Sequence, residues 1–560
     1  MCGIVGIAGD NISNDLKEML GLLKHRGPDD SGLWINNQLI HGDISQIITP
    51  EGNFGLGHNL LSIVGCHGSQ PIVNDQWLLV CNGEIYNFQE IKESIKISSG
   101  NDFKTDSDCE IVINLNKYFL EILMEKYGLD LGFKRNSKKN DSFEYRNDIS
   151  YKKIFVDSLK KTMQKIDGDY AFAIYDGKNL SLARDSVGVK PLYYGEIKGK
   201  IRAFASERKA LWKVGIKEVH SLPPGHILFN DELILAESLF DLKDPTIHNQ
   251  NNAYESNNNN NNNHNHNHNH LIEGSNHLID SSKGPDLKEY SLKSLKNELK
   301  HVIEKSVDKR IHGLDKIGLV FSGGVDSTIL ASILKNRDIE TTLYTVGTKN
   351  SSDFQFANRA AEYYDLKLKT FEINEKIIKN SLRPVLEAIE EFNVMKIGVA
   401  MPIFLAAKMA SEDKLKVVLS GQGADELFGG YHRYLKDYSN YGEGTQEVLK
   451  QDIKNIYHVN LQRDDAATMA HGVELRVPFL DKEVIKTAFR IPIKYKIKSE
   501  SDKLRKHVLR EVAAQMGVPD FIENRPKKAA QYGSGVHKIL IKKVLKDFDE
   551  VAFMNQLRGF

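Results

Sequence analysis

A short segment in the second half of the chain limits the possible folds more than any other feature. Ile317 to Phe321 is apolar and rich in β-branched residues, as expected for a buried strand, and Ser327 to Leu334 is typical of the first turns of a helix. Between them lies Ser322-Gly323-Gly324, where two adjacent glycines let the backbone turn sharply and approach a ligand closely. A helix start offers unpaired N–H groups and a positive dipole end to an anion. The segment therefore predicts an anion-binding loop.

The residue that follows this loop indicates which anion it binds. Asp326 would repel a phosphate unless a cation lay between them, which suggests a nucleotide with its magnesium ion. The chain has no GxxxxGK[ST] pattern, so the loop is not a P-loop. The hexapeptide SGGVDS instead resembles the pyrophosphate-binding loop of ATP pyrophosphatases, which cleave ATP to AMP and pyrophosphate and so adenylate a substrate. An ordinary strand-turn-helix connection is the alternative.

Length and composition set the class of protein. A chain of 560 residues is too long for one core and should form two or more domains. The 75 basic and 75 acidic residues cancel, so no basic field favours nucleic acid. Four cysteines without a paired CxxC indicate a reducing compartment. The apolar run Gly398 to Ala407 is too short to span a bilayer, and no secretory signal is visible, so we expect a cytoplasmic protein without a membrane partner.

The amino terminus carries a candidate nucleophile. Cys2 would become the first residue once Met1 is removed, because a small second residue permits that trimming. The α-amino group then has a pKa of about 7.7–8.0, close enough to neutral to accept the thiol proton. A lone cysteine at the start of a strand is, by itself, more often a small buried hydrophobe.

Three further motifs favour the interpretation of Cys2 as a nucleophile. His25 to Asp30, Asn82 to Asn87 and Ser107 to Glu110 follow Cys2 in order. Together with Cys2 they resemble the glutaminase domain of the N-terminal-nucleophile amidotransferases.

This resemblance implies a role for each matching residue. Cys2 would attack the glutamine amide, and the Asn82 side chain with the Gly83 N–H would form the oxyanion hole. Glu84 and Asp108 would bind the α-amino group of the substrate. Asn82-Gly83 also favours a hairpin turn on its own, and both interpretations can hold.

One position departs from the amidotransferase pattern. The family usually has an arginine that binds the glutamine carboxylate, followed by Leu-Ser-Ile-Val. Here the glutamine-binding stretch is Leu60-Leu61-Ser62-Ile63-Val64, with Leu60 in the place of the arginine. Leucine cannot make the bidentate carboxylate contact that arginine makes, so we expect weaker glutamine binding. His58 is the nearest basic side chain in sequence that could supply the missing contact.

The sequence divides into two domains and a linker. The amidotransferase domain is expected at residues 2–241, with a polar, lysine-rich surface insertion at 125–153. Residues 242–284 are rich in asparagine and histidine, which predicts a disordered linker. Its alternating histidines cannot fix a metal geometry in such a repeat. The second domain is expected at 285–560.

Strands and helices alternate in the second domain. Predicted strands end at Gly347, Phe371 and Leu419, and a helix is predicted over Phe354 to Tyr364. This alternation predicts a parallel sheet that binds its ligands at the carboxyl ends of the strands. The last strand leads into the segment SGQGADELFGGY, Ser420 to Tyr431.

With this segment, the chain resembles glutamine-hydrolysing asparagine synthetases over nearly its whole length, apart from the insertion and the linker. The later stretches Glu474 to Asp481 and Lys503 to Arg510 agree. The resemblance implies an α/β protein. An N-terminal αββα sandwich is followed by a parallel-sheet domain of the ATP pyrophosphatase type, with a helical C-terminal part.

The resemblance also implies the residues of the synthetase site. Asp326 and Asp425 would share a magnesium ion on the leaving pyrophosphate, which Lys503 would also contact. The residues expected to bind ATP are Val320, Ser322, Gly323, Gly324, Asp326, Ser327, Val346, Ser420 and Gly421. Those linked to adenylate formation are Gln422, Asp425 and Glu426. Gln422 stands where most family members have glutamate, and it keeps the shape but loses the charge.

We therefore expect an enzyme that converts L-aspartate to L-asparagine through a β-aspartyl-AMP intermediate. It would use ATP, Mg²⁺ and ammonia from glutamine, and release AMP, pyrophosphate and glutamate; a homodimer is one expected assembly. Three alternatives remain at this stage. They are an ammonia-preferring asparagine synthetase with a weakened glutaminase, a related synthetase that adenylates a different carboxylate, and a non-catalytic amino-acid or nucleotide binding protein.

Overall fold

The computed structural model describes residues 2–64, 69–99, 103–128, 149–240, 291–526 and 530–559. Most of the expected surface insertion (129–148) and the whole expected linker (242–284) lie outside the described residues. The boundaries of both segments therefore stay predictions.

Two antiparallel sheets form the N-terminal half of the described chain. In spatial order, the seven strands of the first sheet are His220–Ser221, Tyr193–Ile197, Ile201–Ala205, Gly3–Gly9, Phe54–Leu60, Asp30–Ile35 and Gln38–Gly42. The six strands of the second are Glu232–Leu235, His226–Phe229, Leu180–Arg184, Gly168–Tyr175, Trp77–Ile85 and Ile72–Asn74.

Side chains that alternate along these strands build a four-layer sandwich. Ile4 points to the core between the two sheets, where it packs with residues of the second sheet such as Val80, while Val5 and Ile7 pack on the outer face. The helices Ser13–Leu22 and Arg208–Lys213 cover the first sheet, and Phe88–Ser99, Glu110–Lys126 and Ile149–Lys165 lie on the side of the second. The predicted αββα sandwich is confirmed.

A five-stranded parallel sheet forms the centre of the C-terminal half. Its spatial order is Lys367–Glu372, Glu340–Gly347, Lys316–Val320, Val417–Leu419 and Glu474–Arg476. The four predicted strands and their parallel pairing are confirmed, and each carboxyl end lies within one residue of the predicted one. The last strand, Glu474–Arg476, was not predicted as a strand. It places the Glu474 to Asp481 motif next to Val417–Leu419.

Helices surround this parallel sheet and make up the rest of the domain. They are Leu292–Ile311, Val325–Lys335, Ser352–Tyr364, Glu375–Ile389, Val394–Glu412, Ala424–Phe428, Arg433–Tyr441, Thr445–Ile456, Gln462–Met469, Lys482–Arg490, His507–Gln515, Asp520–Glu523, Ala530–Gly533, Val536–Ile539 and Glu550–Arg558. The predicted α/β domain with a helical C-terminal part is confirmed.

One of these helices is long and apolar enough to cross a membrane. Val394–Glu412 meets that test by length and composition, but 56% of its most apolar window is buried inside the protein. Ile397, Met401 and Leu405 belong to the core of the parallel-sheet domain. A buried core helix accounts for this apolar segment.

The two halves share a polar interface and part of one core. Val187, Val189 and Leu239 of the N-terminal half pack into the core of the C-terminal half. Among the described residues, the ion pairs that cross between the halves join Asp167 to Lys309, Asp169 to Arg310, Asp29 to Lys416, Glu84 to Arg476, Lys190 to Glu474, Glu237 to Lys482 and Arg26 to Asp465. This interface fixes the orientation of one half relative to the other.

Candidate active sites

A cavity of about 250 Å³ lies beside Cys2, at the end of the strand Phe54–Leu60 and along the strand Trp77–Ile85. It brings together most of the residues predicted to bind glutamine: Cys2, Leu60, Leu61, Ser62, Ile63, Val64, Gly83, Glu84 and Asp108. Asn82, also predicted, lies just behind the cavity wall and contacts Cys2.

Cys2 is held at the start of its strand by groups on both sides. Its backbone nitrogen donates to Asn82 Oδ1 at 3.0 Å, and Arg26 Nε donates to its carbonyl oxygen at 3.2 Å. Burial raises the pKa of the Cys2 thiol, and a hydrogen bond from the backbone of Leu61 opposes that shift. The thiol therefore needs a base to form the reactive thiolate.

Asn82 and Gly83 lie inside the strand Trp77–Ile85, paired with Ala171 and Tyr170 of the next strand. The hairpin turn considered for this dipeptide is therefore wrong, because the strand continues for two residues beyond it. A Cβ on Gly83 would lie 2.7 Å from the carbonyl oxygen of Asp169, so only glycine fits this close approach. Among the described residues, the buried Nδ2 of Asn82 has no hydrogen-bond partner.

The two carboxylates predicted to bind the α-amino group lie together. Glu84 Oε2 is 3.2 Å from Arg476 Nη2, and Asp108 Oδ2 accepts the backbone N–H of Ile85 at 2.7 Å. Burial, and then the negative charge of Glu84, raise the pKa of Asp108 to about 7. A ligand ammonium group at this position would favour the ionised form of Asp108.

The described lining of the whole cavity contains no basic side chain, whereas it contains four acidic ones: Glu84, Asp106, Asp108 and Glu474. Leu60 ends its strand at the cavity wall. His58 does not supply the missing contact: it is buried, it is absent from the described lining, and burial lowers its pKa to about 3.

Several residues that complete this site come from distant parts of the chain. Glu474 of the parallel sheet lines the cavity and pairs with Arg476 at 2.7 Å. Asp29 accepts the N–H of Ser62 at 2.7 Å and pairs with Lys416, which orders the loop after Leu60. The sequence stretches containing these residues matched family motifs, but no local pattern indicated which residues they contact.

A second cavity, of about 520 Å³, lies at the carboxyl ends of three parallel strands. Its lining includes most of the predicted synthetase residues: Val320, Ser322, Asp326, Ser327, Val346, Ser420, Gly421, Gln422 and Asp425. Gly323 and Gly324 form the loop that leads into the helix Val325–Lys335.

Two glycines let the backbone close around this cavity. Gly323 has φ +63°, and a Cβ there would lie 2.6 Å from the backbone of Phe356. A Cβ on Gly421 would lie 2.9 Å from Cβ of Asp326. Sequence reasoning missed Arg525, which donates to the carbonyl oxygen of Ser322 at 2.8 Å and pairs with Asp353 at 2.7 Å.

The lysine near the two predicted metal ligands is not the predicted one. Lys503 is exposed. Lys506, three residues later, places Nζ 2.7 Å from Asp326 Oδ2 and 2.5 Å from Asp425 Oδ1. The two carboxylates therefore converge on one cation position, as predicted, but the side chain at that position is Lys506.

Glu426 lies behind the cavity and supports two residues that line it. Its Oε1 accepts hydrogen bonds from Tyr431 Oη and Asn460 Nδ2, both at 2.7 Å. Burial, and then the charge of Asp425, raise the pKa of Glu426 to about 7. Gln422 lines the cavity directly, whereas Glu426 acts on it through Tyr431 and Asn460.

Family models match both halves of the chain. The family model described as asparagine synthase matches residues 298–447 and 442–556, and two models described as glutamine amidotransferase domains match residues 1–127 and 132–213. A structure of the Bacillus subtilis glutamine phosphoribosylpyrophosphate amidotransferase with ADP and GMP covers 62% of this chain and 67% of its own. Its TM-score of 0.32 and identity of 18% are too low to carry an argument.

Full-length relatives extend the match over nearly the whole chain. A Methanocaldococcus jannaschii protein, provisionally named asparagine synthetase (glutamine-hydrolyzing) 1, is 39% identical over 97% of this chain and 95% of its own length. Asparagine synthetase (glutamine-hydrolyzing) 1 of Arabidopsis thaliana is 28% identical over 96% of this chain and 78% of its own length. The chain belongs to the family of glutamine-hydrolysing asparagine synthetases.

Proposed function

We propose that this enzyme uses ATP to convert L-aspartate to L-asparagine through β-aspartyl-AMP, with ammonia released from L-glutamine at Cys2. Its membership of the family supports the overall reaction. The observation that carries the assignment to this chain is the pair of cavities, one beside Cys2 and one at the SGGVDS loop, on two halves joined by a buried interface.

Cys2 is the nucleophile of the glutaminase half. Once Met1 is removed, the nitrogen that now donates to Asn82 Oδ1 becomes an α-amino group able to accept the thiol proton. The thiolate attacks the glutamine amide carbon, and the oxyanion accepts hydrogen bonds from Asn82 Nδ2 and the Gly83 N–H. This role is supported by Asn82 Nδ2, which is buried and has no hydrogen-bond partner among the described residues. The C–N bond then breaks, ammonia leaves with the proton held by the α-amino group, and water hydrolyses the remaining thioester to glutamate and the free thiol. Glu84 and Asp108 bind the substrate ammonium group.

The synthetase half activates the β-carboxylate of aspartate. This carboxylate attacks the α-phosphorus of ATP, and the bond to the bridging oxygen of pyrophosphate breaks. The backbone N–H groups of Ser322-Gly323-Gly324 and the start of the helix Val325–Lys335 bind phosphate oxygens. Val320, Val346 and Gly421 line the adenosine part of the cavity, and Gln422 lies beside the reacting groups.

Asp326 and Asp425 fit a magnesium ion that is bound together with ATP. Mg²⁺ is commonly held by one or two carboxylates, with phosphate and water oxygens completing its coordination. Asp326 and Asp425 converge on one point, and the described residues hold no group of three or more acidic, cysteine or histidine side chains here or elsewhere, so phosphate and water oxygens would supply the other ligands. When bound, Mg²⁺ would neutralise charge on the phosphates. Lys506 takes the pyrophosphate-binding role expected of Lys503.

Ammonia then attacks the β-aspartyl carbonyl, and AMP leaves. The ammonia reaches this carbonyl from the glutaminase half, to which the synthetase half is joined by the buried contacts from Cys2 through Arg26 to Asp465. We retain residues 2–241 and 285–560 as the two domains. A cytoplasmic location and a homodimer also stay predictions.

An ammonia-preferring asparagine synthetase is the second candidate, because Leu60 stands where the family's carboxylate-binding arginine is expected and no described lining residue replaces its charge. Product analysis with ATP and aspartate, and with glutamine or ammonium supplied in turn, separates the two. The proposed function predicts asparagine, AMP and pyrophosphate with either donor. Product formation only with ammonium would favour the second candidate, and aspartate-independent pyrophosphate release would contradict both.

A further inference from the structure

Lys506 occupies the point on which the two proposed metal ligands converge. Its Nζ lies 2.8 and 2.7 Å from the two oxygens of Asp326 and 2.5 Å from Asp425 Oδ1. The side chain of Lys506 is fully buried, while those of Asp326 and Asp425 are 11% and 16% exposed. The ammonium group therefore sits beneath the carboxylates, and the carboxylates border the cavity.

The backbone and its neighbours are built to hold the lysine there. Arg505 and Lys506 have φ angles of +58° and +55°, and two successive non-glycine residues in the left-handed region carry a conformational cost. Gly430 lies against this side chain: a Cβ there would come within 2.2 Å of Lys506 Cε and 1.9 Å of Asp425 Oδ1. A chance contact at the surface would require neither the left-handed backbone at Arg505 and Lys506 nor a glycine at position 430.

We propose that Lys506 is a resident counter-cation that keeps free divalent metal out of the Asp326–Asp425 site and admits the metal only together with the phosphates of ATP. This inference rests on the proposed role of Asp326 and Asp425 as metal ligands. It adds a selectivity function for a residue that the predicted site did not include.

Charge balance explains the selectivity. Two carboxylates and one ammonium carry a net charge of −1, so a free divalent cation entering this site meets a positive charge only a few ångströms away. A triphosphate changes that balance, because its oxygens give Lys506 a new acceptor and supply additional ligands to the metal. Lys506 thereby shifts from the carboxylates to the phosphates as the metal–nucleotide complex binds.

Binding of Mn²⁺, followed by electron paramagnetic resonance of the unbound ion, tests this inference without relying on turnover. The probe is Mn²⁺ alone, or Mn²⁺ with a non-hydrolysable ATP analogue bridged by a methylene group between the α- and β-phosphates. Wild-type protein should bind Mn²⁺ at this site only with the analogue. Lys506→Met should bind Mn²⁺ alone at least about tenfold more tightly than wild type, because a positive charge within a few ångströms has been removed.

Three further variants identify the site and keep the test decisive. Asp326→Asn in the Lys506→Met background should abolish the new binding, and the exposed control Lys503→Met should behave as wild type. Lys506→Arg keeps the charge and should still exclude free Mn²⁺. If Lys506→Met does not fold, the inference can still be contradicted, because tight binding of Mn²⁺ alone to wild type or to Lys506→Arg would show that the positive charge does not exclude the metal.

Two results separate failure of this inference from failure of the metal assignment. Tight binding of Mn²⁺ alone to wild-type protein, lost in Asp326→Asn, would overturn the role of Lys506 and leave the metal ligands in place. Equal affinity of wild type and a folded Lys506→Met for Mn²⁺ alone would likewise overturn the role of Lys506 and leave the metal ligands in place. Binding of Mn²⁺ with the analogue that is unaffected by Asp326→Asn would overturn the metal assignment and this inference together.

Discussion

Arg26 and Asp465 form a buried ion pair that connects Cys2, the proposed nucleophile of one half of the enzyme, to the other half. Arg26 Nη1 lies 2.9 Å from Asp465 Oδ2 and 2.8 Å from Glu207 Oε1, while its Nε donates to the carbonyl oxygen of Cys2. Because the Arg26 and Asp465 side chains are 0% and 3% exposed, neither can exchange its partner for water without local rearrangement. The position of Cys2 thus depends on a residue more than four hundred positions away.

Replacing Asp465 should therefore affect glutamine hydrolysis. In Asp465→Asn, Arg26 keeps Glu207 but loses one charged partner, and we expect the glutaminase kcat to fall about tenfold, corresponding to about 1.4 kcal/mol. The measurement is glutamate formation at saturating glutamine. Asp308→Asn, which removes the partner of Arg337 in an exposed ion pair, is the matched control and should leave the rate unchanged. A normal glutaminase rate in folded Asp465→Asn would show that this contact does not position Cys2.

Cys2→Ala should abolish glutamine hydrolysis and leave ammonia-dependent asparagine synthesis intact. The thiol is the only group removed, and the cavity at the parallel sheet does not contain Cys2. Assays of glutamate and asparagine formation with each nitrogen donor check this. Cys81→Ala, which removes another buried thiol from the same cavity lining, is the control that should retain hydrolysis. Wild-type hydrolysis by Cys2→Ala would exclude Cys2 as the nucleophile.

The glutaminase should lose efficiency in acid because of Asp108. Its pKa is raised to about 7, so below pH 7 the carboxyl is increasingly protonated and no longer attracts the substrate ammonium group. We expect kcat/KM for glutamine to fall as the pH drops through about 7, and Asp108→Asn to have a low kcat/KM with a shallower fall, because the Cys2 amine that accepts the thiol proton still titrates there while residue 108 no longer does. Asp106→Asn, at the exposed edge of the cavity, should keep the wild-type profile. An unchanged profile in Asp108→Asn would assign the titration to another group.

Leu60 should limit the affinity for glutamine. A missing charged contact at a partly desolvated carboxylate costs roughly 1.5–3 kcal/mol, or about ten- to a hundredfold, mostly in KM. We expect Leu60→Arg to lower the glutaminase KM and to leave ammonia-dependent synthesis unchanged. Leu60→Met is the neutral control of similar volume and should behave as wild type. The absence of any KM difference between the arginine and methionine variants would show that the carboxylate is bound elsewhere.

Local patterns were sufficient to predict the centre of the parallel-sheet domain, whereas the αββα sandwich was predicted from the resemblance to the amidotransferases. The apolar run ending at Phe321 and the two glycines after it predicted the strand Lys316–Val320, its loop and the helix Val325–Lys335. Hydrophobic periodicity and the positions of glycines determine structure over a few neighbouring residues, so both signals can be detected in a single sequence. Cys2, by contrast, was predicted as a nucleophile only together with the motifs that begin at His25, Asn82 and Ser107.

Contacts between distant segments could not be predicted in this way. Asn82-Gly83 has the local preference of a turn, but pairing with Ala171 and Tyr170 keeps it in a strand. Lys503 and Lys506 belong to the same motif, and only the left-handed backbone at Arg505 and Lys506 determines which lysine reaches Asp326. The roles of Asp465 and Glu474 depend on how the two halves meet, which no local pattern specifies.

The most direct test of the proposed reaction uses two isotopes in one turnover experiment. The wild-type enzyme receives ATP, aspartate labelled with ¹⁸O in the β-carboxylate, and glutamine labelled with ¹⁵N in the amide, and the products are analysed by mass spectrometry. A β-aspartyl-AMP intermediate predicts one ¹⁸O atom in AMP for each asparagine formed, with ¹⁵N in the asparagine amide and no ¹⁸O in pyrophosphate. Release of ADP with ¹⁸O in inorganic phosphate, or asparagine formed without ¹⁸O in AMP, would contradict adenylation of aspartate by this enzyme.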